Sequence, residues 1–118
     1  MIYLDNAATT KISKTAFEAA CWTIHDCYGN PSSLHKAGTE AAQMVAKARK
    51  QIARCIGAMD DEIVFTAGGS ESDNLALRGI APYLKENGKT TIITSQIEHH
   101  AVLNTCKVLE KDGFKVIY

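Results

Sequence analysis

The sequence predicts an α/β fold with parallel strands joined by crossover helices, and three observations carry that expectation. From Glu62 onward, short β-branched runs alternate with longer stretches of helical periodicity. Gly68-Gly69 stand where the first strand pattern gives way to a helix. The 118 residues are enough for one domain with a modest core.

The elements follow in order. Thr15-x-x-Glu18 is a capping-box pattern, and Phe17, Ala20, Cys21 and Ile24 follow at helical spacing until Gly29. "GNPSSLHKAG", residues 29–38, is a loop by composition, and Asn30-Pro31 reads as a turn. A second helix carries Ala41, Val45, Ala48, Ile52 and Ile56 on one face and Gln43, Lys47, Lys50 and Arg54 on the other, and Gly57 ends it. Strands are expected at Glu62–Thr66, Thr91–Ser95 and Phe114–Tyr118. Helices are expected from about Ser70 to Lys85 and from about Glu98 to Asp112. Pro82 should end or kink the first of these, because its ring clashes with the preceding turn. The last strand has no helix after it to cover it, so the sheet is expected to be incomplete and the domain truncated. The organisation expected is a helical segment with a loop over 1–60, then the start of a larger α/β domain over 61–118.

Composition excludes several function classes. Hydrophobic residues make up 46% and charged residues 22%, the balance of a soluble globular chain. Thirteen basic and thirteen acidic residues cancel, which gives no footprint for nucleic acid or a membrane surface. No apolar run approaches membrane-spanning length and the first residues are no signal peptide, so the cytoplasm is the expected compartment. No metal site is expected. Cys21 and His25 share a helix face, but Cys27 points elsewhere and a fourth ligand is missing. Cys55 and Cys106 read as core thiols on apolar stripes.

The stretch with chemical content is "FTAGGSESDN", residues 65–74. A buried strand would run through Gly68-Gly69 into a helix, with Ser70 or Ser72 as N-cap. A helix N-terminus presents unpaired N–H groups and the positive end of the dipole, so a phosphate or carboxylate fits there. Each hydrogen bond to such a charged group contributes roughly 1.5–3 kcal/mol. Glu71 and Asp73 would oppose a dianion unless they point away. An ordinary strand-to-helix turn is the plain alternative.

Four stretches together carry a resemblance. "YLDNAATT", "GNPSSLHKAG", "FTAGGSESDNLAL" and "ITSQIEHHAVLNT" resemble the cysteine desulfurases, in the class V aminotransferase group of pyridoxal 5′-phosphate (PLP) enzymes. They occur in that family's order and spacing, over the portion matching its N-terminal part. The resemblance implies part of a fold type I large domain, in which the strand matching Glu62–Thr66 lies across the sheet from the other two. It implies PLP as cofactor, held at its phosphate by Ser70 and the backbone of Gly69. It places His99 on the pyridine ring as a cofactor-binding and catalytic residue. An imidazole can give or take a proton near neutrality, which suits that role. His100 is then a surface residue. Asn6, Ala7 and Ala8 match a segment on the substrate side, and residues 30–35 match a loop near the site and the dimer contact.

The activity implied is conversion of L-cysteine to L-alanine, with persulfide sulfur passed to an acceptor or iron–sulfur scaffold protein by a homodimer. "SLHK", residues 33–36, looks like the segment bearing the cofactor-carrying lysine. The Gly-Pro-Lys-Gly that should follow is absent, so Lys36 reads as a surface lysine. These 118 residues alone are expected to be inactive. Rival readings are a selenocysteine lyase or aminotransferase on the same scaffold, or a non-enzymatic module binding a phosphorylated metabolite or a protein.

Overall fold

The computed structural model describes residues 2–118. They divide into two units, the first ending at Ile63 and the second running Val64–Tyr118.

The first unit is helical. Helix α1 spans Lys14–Asp26 and its N-cap is Ser13, whose hydroxyl accepts from the Ala16 N–H at 3.2 Å. The expected Thr15 capping box is not formed. Ser13 offers the same hydroxyl earlier, and its extended backbone (φ −68°, ψ 154°) lets it reach that donor. None of the residues of α1 is buried. Helix α2 spans Lys36–Ile56, so the last three residues of the expected loop are already helical. His35 caps it, with Nδ1 accepting from the Gly38 N–H at 3.3 Å, and Gly57 closes it in the left-handed conformation at φ 69°.

The loop before α2 is a turn, as its composition suggests. Asn30 Oδ1 accepts from the Ser32 N–H at 2.9 Å, and the Asn30 carbonyl accepts from the Ser33 N–H at 2.9 Å. It folds back so closely on the helix that a Cβ at Gly38 would stand 2.2 Å from the Ser33 carbonyl oxygen and 2.7 Å from that of Asn30. Backbone atoms cannot swing aside as a side chain can. Gly38→Ala is therefore expected to destabilise the fold by about 1–3 kcal/mol, read as a lower denaturant midpoint at unchanged slope.

The apolar face expected along α2 is mostly uncovered. Ala41 and Ala53 are buried, but Val45, Ile52 and Ile56 are 38%, 42% and 68% exposed. A 3₁₀ turn at Asp60–Glu62 packs against α2, and Arg49 donates to the Ile63 carbonyl. The strand expected at Glu62–Thr66 does not form. Glu62 belongs to the 3₁₀ turn, and its carboxylate accepts from the Met59 N–H at 2.7 Å. Ile63 is extended (φ −92°, ψ 124°), but residues 63–66 pair with no strand among the described residues. β-branched composition favours extended backbone, and only a neighbouring strand makes it a ladder.

The second unit is a helix followed by a β-α-β element. Helix α3 spans Gly69–Glu86, strand β1 Thr91–Ile93, helix α4 His100–Lys111 and strand β2 Lys115–Ile117. The strands are parallel, with Ile92 opposite Val116, as the alternating pattern predicts. They are shorter than expected, although Lys115 N–H donates to the Thr90 carbonyl at 2.8 Å and Thr94 N–H to the Ile117 carbonyl at 2.9 Å. Helix α3 packs on α4, and Ala81, Leu109 and Phe114 form the buried cluster, with Leu77 and Ile92 against it. Pro82 does not end α3. It removes one hydrogen bond in the last two turns, while burial of the adjacent Ala81 holds the helix in register. The Lys85 ammonium donates to the Asp112 carbonyl, placing a cation where the dipole of α4 is negative.

Candidate functional site

The anion corner forms, with a different cap from the one expected. Gly68, extended at φ 173°, is the N-cap of α3, and Gly69 is its first residue. Neither Ser70 nor Ser72 caps the helix, because the backbone enters the helical conformation before reaching them. The Gly68 carbonyl instead accepts from the N–H groups of Glu71 and Ser72, both at 3.1 Å. The loop is pinned from its other side as well. Thr66 Oγ1 lies 2.6 Å from Ser72 Oγ and donates to the Gly68 carbonyl at 3.2 Å.

Glu71 folds back rather than facing outward. Its carboxylate accepts from the Ala67 N–H at 2.7 Å, closing the loop onto the first turn. The N–H groups of Gly69 and Ser70 are left with no acceptor among the described residues. A Cβ built at Gly68 or Gly69 would meet nothing within 4 Å, so the packing of this chain does not require either glycine. Two free donors, the exposed Ser70 hydroxyl and a surface clear of Cβ atoms fit a phosphate.

His99 is the N-cap of α4. Its Nδ1 accepts from the Ala101 N–H at 3.1 Å, and because an amide can only donate, the proton of the neutral ring sits on Nε2. The imidazole is exposed, and its centroid lies 6.2 Å from that of the equally exposed His100. Exposure does not separate the two histidines, but the cap does. His99 has one nitrogen tied to the backbone and the other free, while His100 is already inside the helix.

Two side chains not anticipated from the sequence connect these features. Asn74 Nδ2 donates to the Ser70 carbonyl at 2.8 Å, and Asn74 Oδ1 accepts from Thr105 Oγ1 at 2.8 Å. Thr105 is 3% exposed and shares its single hydroxyl proton with the Ala101 carbonyl at 2.7 Å. A hydrogen-bonded chain thus runs from the first turn of α3 to the residue that His99 caps. The sequence did carry a hint. Asn inside a helix and Thr beside the apolar Cys106 and Leu109 are both misplaced unless their polar atoms are engaged.

Asn6, Ala7 and Ala8 lie in the first unit, in an exposed turn where Ala8 N–H donates to the Asp5 carbonyl at 3.2 Å. Lys36 is exposed at the start of α2, 3.9 Å from the Glu40 carboxylate. Cys55 is exposed rather than a core thiol, and Cys21 is also exposed. Cys106 is fully buried, as its place in the apolar stripe implies. Burial, and secondarily the Glu110 carboxylate, pushes the Cys106 thiol above the ordinary value of 9.0. The unfolded chain then loses this proton first as pH rises. The stabilisation is complete below about pH 9 and is lost as pH climbs through the raised value. Stability should fall more steeply above pH 9 in the native protein than in Cys106→Ala, as urea titrations at several pH values would read.

This is an α/β segment with two unpaired N–H groups at one helix N-terminus and a capping histidine at the next. Residues 2–118 match the family model described as Aminotransferase class-V. The cysteine desulfurase IscS of Dictyoglomus turgidum is 50% identical over 117 residues, which cover 99% of this chain and 29% of that protein. A solved structure titled "SspA in complex with cysteine" aligns with a TM-score of 0.84 at 46% identity, covering 98% of this chain and 33% of that one. A NIFS-like protein aligns with a TM-score of 0.84 at 40% identity, covering 96% and 31%. The chain belongs to the class V aminotransferase family, and its fold is part of the fold type I architecture. It spans 29–31% of the length of the first curated relatives it matches.

Proposed function

We propose that this chain is the N-terminal part of a PLP-dependent cysteine desulfurase, acting in the cytoplasm as a homodimer. The observation that supports it most is the pair of free N–H groups at Gly69 and Ser70, where the resemblance would hold the phosphate, in a chain 50% identical over 117 residues to a cysteine desulfurase. In this reading Gly69, Ser70 and the Ser70 hydroxyl hold the cofactor phosphate. His99 would lie against the pyridine ring, with Nε2 as the nitrogen that would hold or move a proton while Ala101 retains Nδ1. Bound there, PLP supplies the electron sink that such chemistry needs. The resemblance assigns Asn6, Ala7 and Ala8 to the substrate side.

The overall change is L-cysteine plus a protein thiol giving L-alanine plus a protein persulfide. One C–S bond breaks, one S–S bond forms, and the thiol proton ends on alanine. The persulfide is then handed to an acceptor or iron–sulfur scaffold protein. The substrate is supported by the related structure titled as a complex with cysteine. No helix among the described residues is long and apolar enough to cross a membrane.

The test is the full-length protein incubated with PLP and L-cysteine. Alanine and persulfide in equal amounts support the reading. Activity on selenocysteine alone, or alanine formed only with a keto-acid acceptor, would reassign the reaction on the same scaffold. No PLP uptake at all would leave a binding module.

A further inference from the structure

We propose that Asn74 and Thr105 are positioning residues that set the phosphate-holding turn of α3 and the capping His99 of α4 in one fixed relation. The proposal rests on the PLP reading of the site. The argument is geometric. The path runs from the Ser70 carbonyl to Asn74 (2.8 Å) and from Asn74 to the Thr105 hydroxyl (2.8 Å), whose one proton is divided between Asn74 and the Ala101 carbonyl (2.7 Å), and then through the backbone of Ala101, whose N–H donates to His99 (3.1 Å). It crosses between two helices whose buried cluster lies elsewhere, at Ala81, Leu109 and Phe114. Apolar packing resists separation of the helices but resists sliding along their length far less. Directional hydrogen bonds resist sliding.

The link acts at the level of both ends. Asn74 holds the carbonyl of Ser70, the residue whose N–H and hydroxyl face the anion, so it restrains the backbone of that residue from its C-terminal side. Thr105 holds the carbonyl of Ala101, whose N–H orients the imidazole. A cofactor gripped at its phosphate by one turn and touched on its ring by His99 needs those two supports in register. Small misplacements at a reacting centre cost roughly a hundredfold in rate.

The experiment uses the full-length holoprotein with Thr105→Val, which keeps the volume and removes the hydroxyl, and Thr105→Ser, which keeps the hydroxyl. Thr105→Val is expected to weaken PLP binding roughly five- to tenfold. At saturating PLP it should still alter the visible circular dichroism of the bound cofactor and lower kcat roughly 10- to 100-fold with KM for cysteine little changed. Thr105→Ser should restore the dichroism and kcat. A purely structural Thr105 would lower Tm in both variants and leave the dichroism of the saturated protein as in wild type, which overturns the proposal. If Thr105→Val does not fold, the half-buried Asn74→Ala carries the same test, and an unmoved dichroism there overturns it equally. A wild-type protein that takes up no PLP overturns the PLP reading, and the positioning role with it. Normal wild-type behaviour with unmoved variants overturns the positioning role alone.

Discussion

His99→Ala in the full-length protein is expected to lose turnover by roughly 10²–10⁴-fold while still retaining PLP, because positioned proton transfer contributes on that scale. The structure adds a complication and its remedy. Alanine also removes the N-cap of α4, whose Nδ1 accepts from Ala101 N–H, and losing a cap costs about 0.5–2 kcal/mol. His99→Asn separates the effects, since asparagine is a good cap with no imidazole. Both variants should show the same loss of alanine formation, and only His99→Ala should melt earlier. PLP content after dialysis, read by absorbance, should match wild type in both. Near-normal desulfuration in His99→Asn would remove the imidazole from the mechanism.

The 118-residue chain by itself is expected to release no alanine from cysteine and to bind PLP only weakly and reversibly. The phosphate corner can grip one end of the cofactor. The resemblance puts the cofactor-carrying lysine, the acid partner of the pyridine nitrogen and the sulfur-accepting cysteine at positions none of these residues matches. The nearest imitation, Lys36, stands exposed beside Glu40, and the buried Cys106 is held as the unreactive thiol. Borohydride reduction in the presence of PLP should leave little covalent label on any lysine. High-yield label on Lys36 together with alanine release would overturn this expectation. After turnover by the full-length protein, mass spectrometry should find no added sulfur on Cys21, Cys27, Cys55 or Cys106.

What could be read from the sequence was whatever depends on neighbours along the chain. The helices from Lys36, Gly69 and His100 follow from apolar period and local stop signals, and Gly57 stops α2 as expected. Glu62–Thr66 forms no strand because strand composition states a preference, whereas a strand needs a partner that local sequence does not name. The N-cap of α1 falls at Ser13 and not Thr15 because the two offer equivalent hydroxyls, and only backbone geometry chooses between them. At the site, the glycine pair and the histidine pair were visible as motifs. The Asn74–Thr105 bond spans 31 residues and has no motif, so only a packed structure reveals it.

The buried cluster of the second unit has a consequence for synthesis on the ribosome. Phe114 enters that cluster with Ala81 and Leu109, so the cluster cannot close until Phe114 has been made and has left the exit tunnel. At translation rates of about 5–20 residues per second, α3 waits on the order of seconds with its apolar side open to water. A nascent chain of this sequence should therefore be a client of ribosome-bound chaperones while the apolar side of α3 is open, whereas the anion corner, closed by bonds among residues 66–72, need not wait for Phe114.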